Sequence, residues 1–187
     1  MRILLLDNYD SFTWNLHHLL EPHAAVDVML NDRITVDQAA AYDRIVISPG
    51  PGLPNEAGIT MELIRRLRTT HPILGVCLGM QAIAEVYGGR LFNLGMVKHG
   101  VAEPCIVQEP CDPLFTGLPV RFEVGLYHSW AAEEGTLPPD LRVTARNEDG
   151  VIMALRSTVD DVCGAQFHPE SILTPQGAAI IGNWVRG

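Results

Sequence analysis

Lysine is nearly missing from this 187-residue sequence: Lys98 is the single lysine among 13 basic side chains, against 22 acidic ones. The formal net charge of −9 argues against nucleic acid as a partner, because an acidic surface repels a phosphate backbone. The bias toward arginine has no functional reading. No apolar run approaches the roughly 20 residues a membrane helix needs. The first residues also lack the basic-then-apolar pattern of a secretory leader, so neither a membrane partner nor export is expected. No internal repeat or low-complexity segment divides the chain, and a single domain over 1–187 is expected, with room for a full core. Cysteine is sparse. Cys77, Cys105, Cys111 and Cys163 form no C-x-x-C pair and no zinc spacing, which leaves no metal site among them. There is no Walker lysine and no G-x-G-x-x-G, so the chain carries no familiar phosphate cradle.

What is present centres on Cys77, in Gly75-Val76-Cys77-Leu78-Gly79. Pro72–Val76 reads as a short buried strand. Leu78, Ala82, Ile83 and Val86 then recur at helical spacing. A cysteine at that junction, with glycine at both second neighbours, fits a nucleophile elbow. The sharp turn needs neighbours without a β-carbon and lifts the sulfur above the sheet. The following helix aims N–H groups and the positive end of its dipole at the thiol, which favours thiolate. Out of context, a lone cysteine is most often a small buried hydrophobe; the flanking glycines reverse that preference.

A base for the thiol stands late in the chain. Val162–Phe167 reads as a strand, ended by His168-Pro169-Glu170. Residues two apart on an extended segment point the same way, so Glu170 can reach the ring of His168, fix its tautomer and stabilise the imidazolium. Pro169 cannot donate to a sheet ladder and places the segment at a strand end or edge. Cysteine, histidine and carboxylate are the parts of an activated-nucleophile triad.

The first half of the chain alternates between two periods. Arg2–Asp7, Val26–Leu30, Arg44–Ser48 and Ile73–Val76 read as strands; 11–21, 36–41, 59–68 and 78–87 read as helices. That order predicts right-handed βαβ units, hence an α/β fold on an open, mostly parallel sheet. From 90 to 166 short strands follow (90–92, 101–107, 120–124, 142–146 and 151–156), punctuated by prolines that include Pro104, Pro110 and Pro113. They predict antiparallel strands added at a sheet edge. A last helix is expected from Pro175 to Val185. Ligands in such sheets bind beyond the carboxyl ends of the strands, where Cys77 and Ser48-Pro49-Gly50-Pro51-Gly52 both fall. Alone, the latter is an ordinary Pro/Gly loop. Asp7 and Asp10 read as strand-end and helix-capping groups rather than metal ligands.

Gly75–Gln81 and Gln166–Ser171 resemble the triad class of glutamine amidotransferases. Leu6–Leu16 opens the chain as in the amidotransferase subunits of anthranilate synthase and aminodeoxychorismate synthase, and 48–52, Tyr127-His128-Ser129 and 172–174 follow in the expected order. The resemblance implies a flavodoxin-like fold with helices on both faces, Cys77, His168 and Glu170 as the triad, and no cofactor. It assigns the oxyanion hole to the amides of Gly52 and Leu78, in a loop that includes Gly50 and Pro51. It assigns contacts with the substrate, L-glutamine, to Gln81, Ser129 and Trp130. Without it, Gln81 is an exposed helix residue and Ser129 a turn hydroxyl, and His128 has a structural role. It also implies that the partner is a chorismate-using synthase subunit, and that the setting is cytoplasmic, which suits a free thiol. Anthranilate synthesis, in the tryptophan pathway, is the first reading and aminodeoxychorismate synthesis, in the folate pathway, the second. A free-standing γ-glutamyl peptidase and a non-catalytic regulatory module are more distant. The chain departs from the family pattern at Met80, Val101, Leu126 and Trp130; none of these belongs to the triad, and several are expected on the face that meets the synthase subunit.

Overall fold

Successive side chains of a strand point to opposite faces, and the first strand, β1 (Arg2–Asp7), is buried on both. Ile3 and Leu5 pack on one side with Leu16 and Leu20 of α1 (Thr13–Leu20) and Ile180, Ile181 and Trp184 of α5 (Gly177–Arg186). Leu4 and Leu6 pack on the other with Leu63, Ile64 and Leu67 of α3 (Thr60–Leu67) and Met80 and Ile83 of α4 (Leu78–Val86). The short α2 (Val36–Ala39) adds Val36 and Ala39 to that second layer. Helices therefore cover both faces, as a run of consecutive apolar residues in a parallel strand requires. The computed structural model describes residues 1–95, 97–109 and 112–187. The expectations that touch Pro110 and Cys111 lie outside the described residues. Among those residues no helix is long and apolar enough to cross a membrane.

Among the described residues the main sheet has nine strands, in the order β2-β1-β3-β4-β11-β10-β9-β6-β7. The first five, β2 (Ala25–Leu30), β1, β3 (Arg44–Ile47), β4 (Ile73–Val76) and β11 (Val162–Ala165), pair in parallel. The remaining pairings, through β10 (Ile152–Ser157), β9 (Leu141–Arg146), β6 (Val101–Val107) and β7 (Arg121–Leu126), are antiparallel. The parallel half has the flavodoxin-like order. β11, the last strand in the chain, lies between β4 and β10 near the middle of the sheet, with Cys163 opposite Leu74 and Ala165 opposite Val76.

Three expectations change. The segment at 90–92 does not join the sheet edge: Leu91–Asn93 forms β5, which pairs with β8 (Trp130–Ala132), a strand not expected from the sequence, in a separate two-stranded sheet. The strand expected over 162–167 stops at Ala165. The chain bends there, and His168 makes an isolated antiparallel bridge to Gly125 of β7. The antiparallel half thus curls back to touch the segment after β11 instead of extending flatly. The last helix starts at Gly177, after a turn closed by Gly177 N–H on the Thr174 carbonyl.

Candidate active site

Asn8, Ser48, Cys77 and Gln166 each follow a parallel strand, β1, β3, β4 and β11, directly or by one residue. They share the carboxyl edge of the sheet, where such folds bind ligands. Cys77 holds φ 50° and ψ −103°, and only it and Tyr9 combine a side chain with positive φ among the described residues. Such a backbone costs about 1–3 kcal/mol and persists only when its surroundings enforce it. Here they do. A β-carbon on Gly75 would lie 2.4 Å from the Gly79 carbonyl, and one on Gly79 would lie 2.6 Å from the Ile47 oxygen. The strand, the turn and the first turn of α4 are packed too closely for any other residue. Cys77 N–H donates to the Ala165 carbonyl at 2.7 Å, and the Cys77 carbonyl opens the helix by accepting from Gln81 N–H at 3.0 Å.

His168 lies beside the sulfur. Its Nδ1 meets Glu170 Oε1 at 2.6 Å, with both side chains almost wholly buried. The pairing is as expected, but the route differs: Glu170 is reached through a turn at Pro169, not along an extended strand. The His168 backbone is fixed on both sides, N–H to the Gly125 carbonyl at 3.0 Å and carbonyl from the Thr174 hydroxyl at 2.6 Å. Tyr127 and Phe12 set their rings 4.8 and 5.4 Å from the imidazole, edge-on. Burial is the largest influence on the ring and disfavours its charge. The neighbouring Cys77 and the Glu170 carboxylate, hydrogen-bonded to the ring, outweigh it and raise the pKa to about 10. The ring is therefore an imidazolium at neutral pH, able to give a proton to a leaving group.

A cavity of about 200 Å³ opens on one side of the sulfur, lined by Gly50, Pro51, Gly52, Leu78, Gln81, Ser129 and Trp130. Every residue expected to bind substrate is in that wall. Gly52 has φ +74°, and Leu78 is the first residue of α4, where an N–H has no acceptor within the helix. A second cavity of about 370 Å³ meets the sulfur and His168 from the side of Tyr9, Ser11, Phe12 and His99. The loop that separates strand β3 from this mouth is tied down at its root. Asn8 donates from N–H to Ser48 Oγ (2.8 Å) and from Nδ2 to the Ser48 carbonyl (2.9 Å), while Asn31 and Thr60 donate to Asn8 Oδ1.

Gln81 is buried, not exposed. Its amide nitrogen donates to the Trp130 carbonyl at 2.8 Å and to Gln166 Oε1 at 3.3 Å. Both donors are used within the protein, which leaves Oε1 as the group able to accept from a ligand. His128 donates from Nδ1 to the same Trp130 carbonyl at 2.9 Å, and burial lowers its pKa, so it is neutral. It braces the cavity wall in the structural role expected of it. Gln166 and Phe12 lie within the sequence motifs, which assign them no role. Gln166 touches Cys77, its Nε2 lying 3.6 Å from Sγ. Its place in the segment between β11 and His168 was the available signal. Of the departures from the family pattern, Met80 and Leu126 are wholly buried in the core and face no partner. Trp130 is partly buried, and Val101 is exposed on β6.

Asp7 and Asp10 accept local bonds: Thr13 hydroxyl and Asp10 N–H on Asp7, Phe12 N–H on Asp10. Among the described residues, the side chains grouped closely enough to ligate a metal are His17 and His18 of α1 and Glu21 just after it, which line neither cavity at the sulfur. The arrangement can attack an amide: a thiol on an elbow, an imidazolium held by a carboxylate, and backbone N–H groups beside a pocket lined with polar groups.

The sequence profile of the family described as Glutamine amidotransferase class-I matches residues 4–187. Aminodeoxychorismate synthase component 2 of Klebsiella aerogenes is 46% identical, over 98% of this chain and 98% of its own length. Anthranilate synthase component 2 of Pseudomonas aeruginosa is 43% identical, over 98% and 94%. A solved structure of a GMP synthase subunit from Thermoplasma acidophilum superposes with a TM-score of 0.88 at 23% identity, covering 100% of this chain and 92% of its own, and it agrees in fold.

Proposed function

This chain belongs to the class-I glutamine amidotransferases, and on that premise we propose that it hydrolyses L-glutamine through a Cys77 thioester and delivers the ammonia to a chorismate-using synthase subunit. The observation that carries the reading is the sulfur at positive φ, facing an imidazole that Glu170 holds at 2.6 Å. The sulfur anion attacks Cδ of the substrate side chain. As the C–N bond breaks, His168 gives its proton to the leaving nitrogen, which departs as ammonia. Water then attacks the thioester, His168 takes its proton, and the C–S bond breaks to release glutamate and the thiolate. Gly52 and Leu78 N–H groups hold the oxyanion in both steps, and Glu170 keeps the ring oriented and charged. Gly50 and Pro51 shape the loop. The Gln81 oxygen, Ser129 and the Trp130 backbone receive the amino-acid end of the substrate. The chemistry balances without a cofactor or metal. Residues 1–187 act as one glutaminase domain, and a free thiol nucleophile suits the reducing cytoplasm.

For the acceptor, anthranilate synthesis is the first reading. Aminodeoxychorismate synthesis is the second, and the 46% identity to a component of that synthase favours it. Reconstitution with each purified synthase subunit decides between them by the product formed from chorismate and glutamine. In the same assay Cys77→Ala is expected to abolish glutamine-dependent synthesis while leaving synthesis from added ammonia intact. Glutamine-dependent synthesis at the wild-type rate in Cys77→Ala would overturn the mechanism.

A further inference from the structure

Two amide side chains connect the pocket wall to the nucleophile, and their direction is fixed by the groups at one end. The Trp130 carbonyl can only accept, so Gln81 must turn its NH₂ toward it, at 2.8 Å. The same nitrogen lies 3.3 Å from Gln166, which must therefore present its oxygen. That orientation turns the Gln166 NH₂ to Cys77 Sγ, at 3.6 Å. The sulfur is thereby placed as an acceptor, and a sulfur anion is a far better acceptor than a thiol. Gln166 is wholly buried and Gln81 nearly so, so little water competes, and each bond polarises the next. Gln166 is itself held by its N–H on the Met153 carbonyl at 2.8 Å.

We infer that Gln166 is a further catalytic residue, which holds the Cys77 sulfur in its attacking position by donating to it and which stabilises the sulfur anion, with Gln81 fixing the direction of that bond. The inference rests on the reading of Cys77 as nucleophile. It sets two groups at the sulfur: the His168 ring, which shares a cavity with it and gives its proton to the leaving nitrogen before taking one from water, and the Gln166 amide, whose protons are never transferred. The amide alone offers the sulfur the same proton at every stage, whatever the ring carries.

The test is the pH profile of Cys77 alkylation by iodoacetamide, with the modified cysteine identified by mass mapping, together with kcat and KM for glutamine. Gln166→Met keeps the length and removes the donor. Alkylation at pH 6 is expected to slow about tenfold while that at pH 9.5 stays within about twofold, because a hydrogen bond to a charged group is worth about tenfold or more and matters only while thiol and thiolate compete. The kcat should fall by a similar factor, with KM changing less. A profile that superposes on the wild type, or an equal loss at every pH, as a purely structural role would give, overturns the inference and leaves the nucleophile standing. Wild-type modification at another cysteine overturns both. If Gln166→Met does not fold, Gln81→Met serves: it frees the Gln166 amide to turn, and the same pH-dependent loss, smaller in size, is expected. An unchanged profile there is equally fatal.

Discussion

His168 titrates near 10 because Cys77 and Glu170 together overcome its burial. For a base with a raised pKa the protonated form persists up to that value, so the step that needs the imidazolium weakens as pH rises through about 10. Glu170→Gln keeps a hydrogen-bonding group at Nδ1 but removes the charge. It is expected to move the alkaline limb of kcat/KM to lower pH and to lower kcat less than His168→Ala, whose loss should be about 10²–10⁴-fold. Steady-state kinetics across pH tests both statements, and a greater loss in Glu170→Gln than in His168→Ala contradicts the roles assigned. Alkylation is expected to favour Cys77 over Cys105 and Cys163 for a related reason. Burial pushes the thiols of Cys105 and Cys163 up to about 12, leaving them protonated and shielded at neutral pH. The sequence pointed to Cys77, His168 and Glu170 because each sits in a local pattern, a glycine-flanked elbow or a His-x-Glu spacing. It did not show Phe12 against the His168 ring or the burial of Gln81. Those depend on residues more than 40 positions apart meeting at one edge, and no local pattern encodes such a meeting.

The elbow is held by absence of side-chain volume at the level of the strand–turn–helix unit. In Gly79→Ala the added carbon would press on the Ile47 carbonyl. The expected cost is about 1–3 kcal/mol of stability, read by urea denaturation, with a fall in kcat because α4 and the sulfur must shift together. Gly135→Ala is the control: a β-carbon there meets nothing within 4 Å, and no measurable loss is expected. Equal stability of the two variants would show that the close packing is not what fixes the turn. The parallel strands were legible because their residues are apolar on both faces and end in turns; β1 and β4 matched the expected residues end to end. β8 was not, since Trp130-Ala131-Ala132 carries no alternation and is held by distant residues, through pairing with β5 and through Gln81 on the Trp130 carbonyl. Nor did the antiparallel stretch reveal that β7 would return to hold His168 through Gly125, because curvature of a sheet is a property of its whole packing.

Across the whole molecule, an amidotransferase that hydrolysed glutamine without its synthase would waste it. Low turnover by this chain alone is expected, rising when the chorismate-using subunit docks near the mouth. The expected route is a small closure of the Gly50–Gly52 loop, because one oxyanion donor is worth about 3 kcal/mol, or about two orders of magnitude in rate. Glutaminase assays with and without the purified synthase subunit measure it. Full activity alone, unchanged by either synthase, would instead fit a γ-glutamyl peptidase. The position of β11 adds a constraint in time. This strand is made last yet fills the slot between β4 and β10, so during synthesis the sheet waits with its centre open and the Cys77 turn lacks the Ala165 carbonyl that anchors it. The strand that closes the gap brings the imidazole and the amide with it. A nascent chain therefore carries an idle thiol until the sheet is finished, and a lesion in β11 is felt as a folding defect and a catalytic defect at the same moment.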